Sequence, residues 1–402
     1  MMNILVLTSV YPSANDLNEN VTKVVKYFVQ EWTKQGHLVK VIHNAHRYPM
    51  LVHLLPKAIK RRIASRINFY IPDYNSITRL HYQDGLVDVW RLPIFKMMPH
   101  GNHFRYSLKK QAFAIERILK SINFKPDIIL GHWMSPQAQL LSLLKNQYDC
   151  RMAIVLHGSS YIKDERFNCM QYLKHIDAIG CRSSAEAEFI KSNLPLEKTP
   201  FVCYSGVPDE YISNYSFDNT KFSADVKLWR LVYAGRLIRY KNVDKILLAL
   251  SKIDKDYVFD IIGDGEEIDN LKQLAVYLNI SDKVVFHGRL ERKEVVSFMR
   301  KANCFVMISQ GEVFGLVYLE AMASSCITIA SRKGGIDGVI KDGENGFLCR
   351  AGDEEELTHI LKSLMQMDSS KLYMISKAGY KTAVEYTDSK VAKKYLCDAI
   401  NW

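Results

Sequence analysis

Short runs rich in Val, Ile and Leu alternate along this chain with stretches whose apolar residues recur every three to four positions. The runs at 3–9, 38–43, 86–92, 127–131, 152–157, 178–181 and 200–204 are almost continuously apolar. That is the pattern of strands covered on both faces in a parallel sheet. Helical periodicity fills 21–34, 105–122, 136–145 and 185–192 between them. After a polar stretch at 213–225 the alternation restarts, with strands predicted at 230–234, 258–263, 284–287, 304–308 and 327–331. Helices are predicted between these at 243–250, 266–277, 291–301 and 315–324, and again at 353–367, 371–385 and 389–400. The pattern predicts two doubly wound α/β domains, 1–212 and 213–385, with the closing segment 386–402 packing back onto the first.

A length of 402 residues fits two cores better than one. No apolar run reaches the roughly 18–20 residues of a membrane-spanning helix. Residues 1–10 lack a basic region and read as a first strand, not a leader. The eight cysteines are scattered and form no Cys-x-x-Cys pair, which fits buried thiols in a reducing cytosol rather than a disulfide framework or a zinc site. The net charge of +11 calls for anionic partners. No helix-turn-helix, zinc or RNA-binding signature accompanies it, so no nucleic-acid partner is expected.

Three clusters carry chemistry. Gly235-Arg236 and Lys241 lie between a predicted strand and helix. There a sharp turn, two cations and a helix N-terminus suit a diphosphate. Gly263-Asp264-Gly265 ends the next strand, either allowing close backbone approach to a ligand or forming a plain tight turn. Neither it nor Gly334-Gly335-Ile336-Asp337-Gly338 is the Gly-x-Gly-x-x-Gly dinucleotide fingerprint. The segment 312–320 contains Glu312, Phe314, Gly315, Leu316 and Glu320. Glu312 in the loop is placed to accept sugar hydroxyls, and Glu320 on the helix to reach a ribose. Eight helical steps between the glutamates would span about 12 Å, too far for the roughly 5–5.5 Å pair of a retaining hydrolase.

In order, Gly235-Arg236 with Lys241, Gly263-Asp264-Gly265, Phe286-His287-Gly288, Glu312-x7-Glu320, Gly334-Gly335 and Gly343-x-x-Gly346-Phe347-Leu348 resemble the C-terminal domain of retaining GT-B glycosyltransferases of the fourth sequence family, the bacterial surface-polysaccharide type. The N-terminal half is similar more loosely, through Gly36-His37-x-Val39, His157-Gly158 and Tyr204-Ser205-Gly206-Val207. The resemblance implies the GT-B fold, two Rossmann-like domains facing each other across a cleft. It implies retaining hexosyl transfer without a metal from a nucleoside-diphosphate sugar, uridine favoured over guanosine, to a glycan or lipid-linked glycan. It assigns Arg236 and Lys241 to the diphosphate, and Glu312, Phe314, Gly315 and Leu316 to the sugar and a phosphate. Glu320 goes to the ribose, and His157 to the reacting centre beside Glu312. Where many relatives carry Pro-Glu after the paired glycines, this chain has Asp337-Gly338; Asn18-Glu19-Asn20 stands where paired glycines are common. A sugar-nucleotide epimerase of the same architecture and a non-enzymatic polyanion binder are the alternatives.

Between 47 and 66 lie Arg47, Lys57, Lys60, Arg61, Arg62 and Arg66, with no acidic residue, and Leu51, Leu55, Ile59, Ile63 and Ile67 recur every fourth position. Two readings stand at this point. One is a basic helix on the anionic inner face of the cell membrane, making the protein peripheral there; the other is a core-facing stripe with a solvated basic back.

Overall fold

The computed structural model describes residues 1–12, 22–56, 59–60, 78–98, 101–158, 160–163, 168–215, 217–218, 220–223, 228–312 and 314–402. The chain divides into two compact units. Unit 1 comprises Met1–Arg182, Glu186–Cys203 and Ala392–Trp402; unit 2 comprises Ser183–Ala185 and Tyr204–Val391.

Unit 1 is built on strands β1 (Asn3–Thr8), β2 (Leu38–Arg47), β3 (Leu80–Asp84), β4 (Val87–Phe95), β5 (Ile128–His132), β6 (Arg151–Val155), β7 (Ala178–Cys181) and β8 (Phe201–Val202). They form one sheet in the order β3-β4-β2-β1-β5-β6-β7-β8. Every pairing is parallel except β3 with β4, an antiparallel edge. Sequence pattern misses β3, Leu-His-Tyr-Gln-Asp, because an edge strand wetted on its open side needs no apolar run. Helices α1 (Val24–Lys34), α2 (Met50–His53), α3 (Arg105–Ser121), α4 (Gln137–Leu144) and α5 (Met170–Leu173) come from the connections. On α1, Val25, Phe28, Val29 and Trp32 recur at helical spacing and are all buried. Trp32 donates from Nε1 to the Ala392 carbonyl (2.8 Å) and packs with Tyr395 (5.3 Å between rings). Arg151 Nε donates to the Ala399 carbonyl (2.8 Å). These bonds and rings hold the end of the chain on unit 1. Truncating Trp32 to Ala would cost about 3–5 kcal/mol.

Unit 2 carries β9 (Trp229–Ala234), β10 (Tyr257–Ile262), β11 (Val284–Gly288), β12 (Cys304–Val306), β13 (Ile327–Ser331) and β14 (Phe347–Cys349). They form an all-parallel sheet in the order β11-β10-β9-β12-β13-β14. The numbering of helices continues with α6 (Ser184–Asn193), which starts in unit 2 and continues in unit 1, then α7 (Asp209–Ser213), α8 (Val243–Leu250), α9 (Ile268–Tyr277), α10 (Arg292–Lys301), α11 (Leu316–Ala323), α12 (Glu354–Gln366), α13 (Ser369–Glu385) and α14 (Asp388–Asn401). From Tyr318 to Ala323 every α11 side chain is buried, so this helix lies inside the unit rather than on it. Strand β14 has three residues, too few to show a period.

Of the basic segment 47–66, residues 57–58 and 61–66 lie outside the described residues. Its N-terminal turn forms α2, while Lys60, expected on a solvated basic face, is 7% exposed. At Lys60 protein rather than water surrounds the side chain.

Candidate active site

In an open parallel sheet, a crevice opens beyond the carboxyl ends of two neighbouring strands whose connections run in opposite directions. In unit 2 that point lies between β9 and β12: from β9 the chain steps outward through β10 and β11, then returns to place β12 on the other side. The residues following these two strands therefore converge on one crevice. Arg236 and Lys241 follow β9; Glu312, Phe314, Gly315 and Leu316 follow β12.

After β9 the chain makes a short 3₁₀ turn, Arg239–Lys241, ended by Asn242 in the left-handed region (φ 56°). The Asn242 amide donates to the Ile308 carbonyl (2.8 Å), and Gln310 N–H donates to the Tyr240 carbonyl (2.8 Å). The two crevice walls are thereby tied together. Across them the Lys241 ammonium pairs with Glu312, with side chains 12% and 19% exposed. Arg236 is exposed, and its guanidinium donates to the Tyr240 hydroxyl (3.0 Å), while Lys241 Nζ lies 5.7 Å from the centre of the same ring. One tyrosine thus spaces two cations beside the carboxylate.

Gly315 caps α11 in the left-handed region (φ 76°) with no side-chain hydrogen bond. A Cβ there would sit 2.4 Å from the Tyr318 ring. The first N–H groups of a helix lack partners within it, and its dipole is positive at that end. The start of α11 therefore adds anion-binding donors to the crevice, beginning at Leu316. Phe314 is 5% exposed and packs against Tyr204 (5.4 Å); it anchors the loop rather than facing outward.

Gly263-Asp264-Gly265 packs closely on the loop that follows β9. Gly263 has φ 147°, and a Cβ on it would fall 1.8 Å from the Gly235 carbonyl oxygen. One on Gly265 would fall 2.2 Å from that of Leu237. Leu237 N–H donates to the Asp264 carbonyl (2.9 Å), and Asp264 Oδ1 accepts from Gly265 N–H (2.8 Å). These glycines let the loop after β10 lie directly on the loop that carries Arg236.

Glu320 is buried and held by Arg292, whose Nε and Nη2 lie 2.6 and 2.5 Å from Oε1. Arg292, the first residue of α10, also stacks over Tyr211 (5.4 Å). Sequence reasoning misses Arg292, because its carboxylate partner lies 28 positions away on another helix.

In unit 1 the switch lies between β1 and β5. Here β5 ends on His132, followed by Trp133, and β6 is followed by His157-Gly158. His132 Nδ1 lies 3.0 Å from His157 Nε2, and Trp133 stacks flat on the His157 ring (4.1 Å, 16°). Tyr395 Oη is 3.3 Å from His132 Nε2. Burial pushes His132 down to about 3 and His157 well below its ordinary range, with the Arg182 charge adding to both. Both rings are therefore neutral at physiological pH. With Tyr395 donating to His132, and His132 Nδ1–H donating to His157, each of these nitrogens and the phenol proton is satisfied. His157 then carries its proton on Nδ1. His132 and Trp133 were open to the reasoning that finds His157, since they too follow a strand end.

Comparison with known proteins finds glycosyltransferases. Residues 216–382 match the family profile described as glycosyl transferases group 1. Over those residues the chain is similar to the group 1 glycosyltransferases. An uncharacterized glycosyltransferase of Methanocaldococcus jannaschii is 28% identical over 82% of this chain and 89% of its own. The N-acetyl-alpha-D-glucosaminyl L-malate synthase of Bacillus anthracis is 29% identical over 67% of this chain and 73% of its own. The solved structure of Anabaena HepE with UDP and glucose superposes with a TM-score of 0.62 at 16% identity, covering the whole of both chains. The fold of this chain is GT-B, two Rossmann-like domains.

Proposed function

We propose that this protein is a glycosyltransferase that moves a hexosyl group from a nucleoside-diphosphate sugar to a hydroxyl of a glycan or lipid-linked glycan, with retention at the anomeric carbon, in bacterial surface-polysaccharide synthesis. The observation that carries the reading is the convergence of Arg236, Lys241, Glu312 and the start of α11 on the β9/β12 switch point. Breaking the glycosidic C–O bond leaves negative charge on the departing diphosphate. Fixed cations and helix N–H groups aimed at that charge lower the barrier by favouring the transition state over the ground state. Arg236, Lys241 and the α11 N-terminus do so with side chains and backbone, in place of a divalent metal. Glu312, held by Lys241, accepts from the sugar hydroxyls and orients the ring. Phe314 and Gly315 fix the loop that carries them. Gly235, Gly263 and Asp264 keep the Arg236 loop in register, and Glu320, oriented by Arg292, accepts from the ribose.

Retention follows if the acceptor hydroxyl approaches on the face from which the diphosphate leaves, with no covalent enzyme intermediate. A neutral His157 presents one N–H donor to the reacting end of the sugar, without a competing positive charge. The UDP in the Anabaena structure supports a uridine-diphosphate sugar as donor. A lipid-linked acceptor at the inner membrane face draws support from Met50, Leu51, Leu54, Met97 and Met98, all exposed on unit 1. No helix among the described residues is long and apolar enough to cross a membrane, so contact there would be peripheral, from the cytoplasm.

The test is a melting-temperature screen of uridine- and guanosine-diphosphate sugars, followed by product anomer determination with the donor that stabilises the protein. The true donor raises the melting temperature by mass action, and Lys241→Ala removes that rise. Stabilisation by no sugar nucleotide, or conversion of the donor sugar with no acceptor present, would defeat the proposal.

A further inference from the structure

A neutral imidazole carries one proton, and the hydrogen bond made at one ring nitrogen decides which nitrogen holds it. For His157 that decision passes through His132 to the last helix of the chain. Tyr395 lies on α14 and is 1% exposed, and His132, at the end of β5, is wholly buried. The phenol ring stands edge-on to the His132 ring (5.6 Å between centres, 88°) and packs against Phe28 (5.2 Å) and Trp32 (5.3 Å). Among the described residues its hydroxyl has one hydrogen-bond partner, His132 Nε2 (3.3 Å). A buried O–H without an acceptor is costly, so Tyr395 donates and His132 Nε2 accepts. The His132 proton then sits on Nδ1, 3.0 Å from His157 Nε2, and is donated there. Reversing the order would leave the phenol proton with nothing to accept it. The direction of the relay is therefore set at its far end, by a group with one proton to give and one base beside it.

The near end is open. His157 is half-buried, and its Nδ1 has no partner among the described residues and is not sealed from solvent. Trp133, lying flat on the ring (4.1 Å, 16°), holds it in this pose. It does so from a left-handed backbone (φ 67°) that a bulky aromatic residue rarely adopts, with its N–H donating to the Val155 carbonyl (3.0 Å). Backbone strain of this kind persists where the surrounding structure fixes a side chain for a task.

We propose that Tyr395 is a positioning residue: acting through His132, it holds His157 in the form protonated on Nδ1, so that the open nitrogen is a donor and not a base. The closing helix thereby fixes the hydrogen-bond polarity of a ring it does not touch through that nitrogen. Naming the acceptor of this N–H as an oxygen of the sugar nucleotide rests on the glycosyl-transfer reading; the relay itself does not.

The experiment reads the proton. In the full chain carrying isotope-labelled histidine, nitrogen NMR at neutral pH reports which ring nitrogen is protonated, and His132→Gln and His157→Gln identify the two signals by their loss. Wild type is expected to show both rings protonated on Nδ1. Tyr395→Phe keeps the ring against Phe28 and Trp32 and removes only the hydroxyl, so circular dichroism should be unchanged. Without that O–H, either direction of the His132–His157 bond leaves one nitrogen of His132 unanswered, and His157 should divide about equally between its two forms. With the sugar nucleotide as donor, kcat should fall about twofold, by the fraction of Nδ1–H lost, with KM little changed. A purely structural role for Tyr395 would lower the melting temperature and leave the His157 proton where it was; that outcome, or a wild-type His157 protonated on Nε2, would overturn the relay. An unmoved proton together with normal wild-type transfer would leave the glycosyl-transfer reading standing without the relay. A proton that moves as expected while kcat does not would keep the relay and remove His157 from the transfer step.

Discussion

The two sheets share a winding plan, yet their switch points handle charge in opposite ways. At β9/β12 in unit 2 the charges are kept and paired: Lys241 with Glu312, and deeper in the unit Arg292 with Glu320. At β1/β5 in unit 1 the side chains are neutral imidazoles joined to a buried phenol and an indole. A partly exposed cation that already holds a carboxylate can take an incoming diphosphate as a further partner, so that neither state leaves the cation bare. A neutral imidazole can donate or accept one proton beside a reacting carbon without attracting the diphosphate away from its cations. The difference teaches that the fold supplies only the place, and that the pairing of charges there sets what each place can bind.

The sharpest way to break the comparison is to remove the paired charges. Lys241→Ala and Glu312→Ala should each lower kcat by about 10²–10³-fold, the usual loss for one preorganised electrostatic contact. The double variant should lose little more than either single one, because the two groups act as a unit. Steady-state kinetics with circular dichroism as the fold control reads this out. Fully multiplicative losses would mean the pair is two independent contacts.

The next effect is structural. Gly263→Ala places a methyl 1.8 Å from the Gly235 oxygen at a backbone angle that alanine rarely adopts. It should cost about 3 kcal/mol in urea unfolding. Because the displaced loop carries Arg236, nucleotide affinity should fall with stability. Gly158→Ala in unit 1, also at positive φ (98°) but with open space around its Cβ, should cost about 1–2 kcal/mol from backbone strain alone. Equal losses at both positions would show that close loop packing is not what distinguishes unit 2.

Much of this was legible in the sequence, and the rest was hidden for identifiable reasons. The alternation of apolar runs with helical periodicity gives the order of nearly every strand and helix, because parallel sheets demand it locally. It fails at β3, where one face is wet, and at β14, where three residues carry no period. Lys241 and Glu312 are each visible as chemistry, but their contact, 71 positions apart, exists only through the sheet order. Arg292 looks like one more surface arginine until α10 brings it to Glu320. The basic run at 47–66 shows the converse: Lys60 looks solvated on a helical wheel and is buried.

Acid distinguishes the units more gently. His132 and His103 have native pKa values near 3, against about 6.5 in the unfolded chain. Below pH 6.5 the unfolded chain takes up protons that the native state refuses. Stability therefore falls as pH drops from about 6.5 toward 3, by up to about 1.4 kcal/mol per unit for each ring. Urea unfolding at pH 7 and pH 5.5 should differ by about 2 kcal/mol. The loss should appear in the transition that reports Trp133, which stacks on His157 in unit 1. No change between the two values would mean that these rings are charged in the native state, and the contrast with unit 2 would disappear.

The smallest expected effect tests how finely the cations of unit 2 are placed. Tyr240→Phe deletes the hydroxyl that accepts from Arg236 and leaves the ring beside Lys241 unchanged. Arg236 is exposed, so the lost bond is worth only about 0.5–1 kcal/mol. The guanidinium remains charged and able to reach a diphosphate, but it must be ordered by the ligand rather than in advance. That ordering cost falls on binding and on the transition state alike. KM for the sugar nucleotide should rise about two- to fivefold with kcat nearly unchanged, the signature of lost uniform binding. A fall in kcat instead would place Arg236 against charge that develops only as the bond breaks, and would make it a partner of Lys241 in the chemical step rather than in capture.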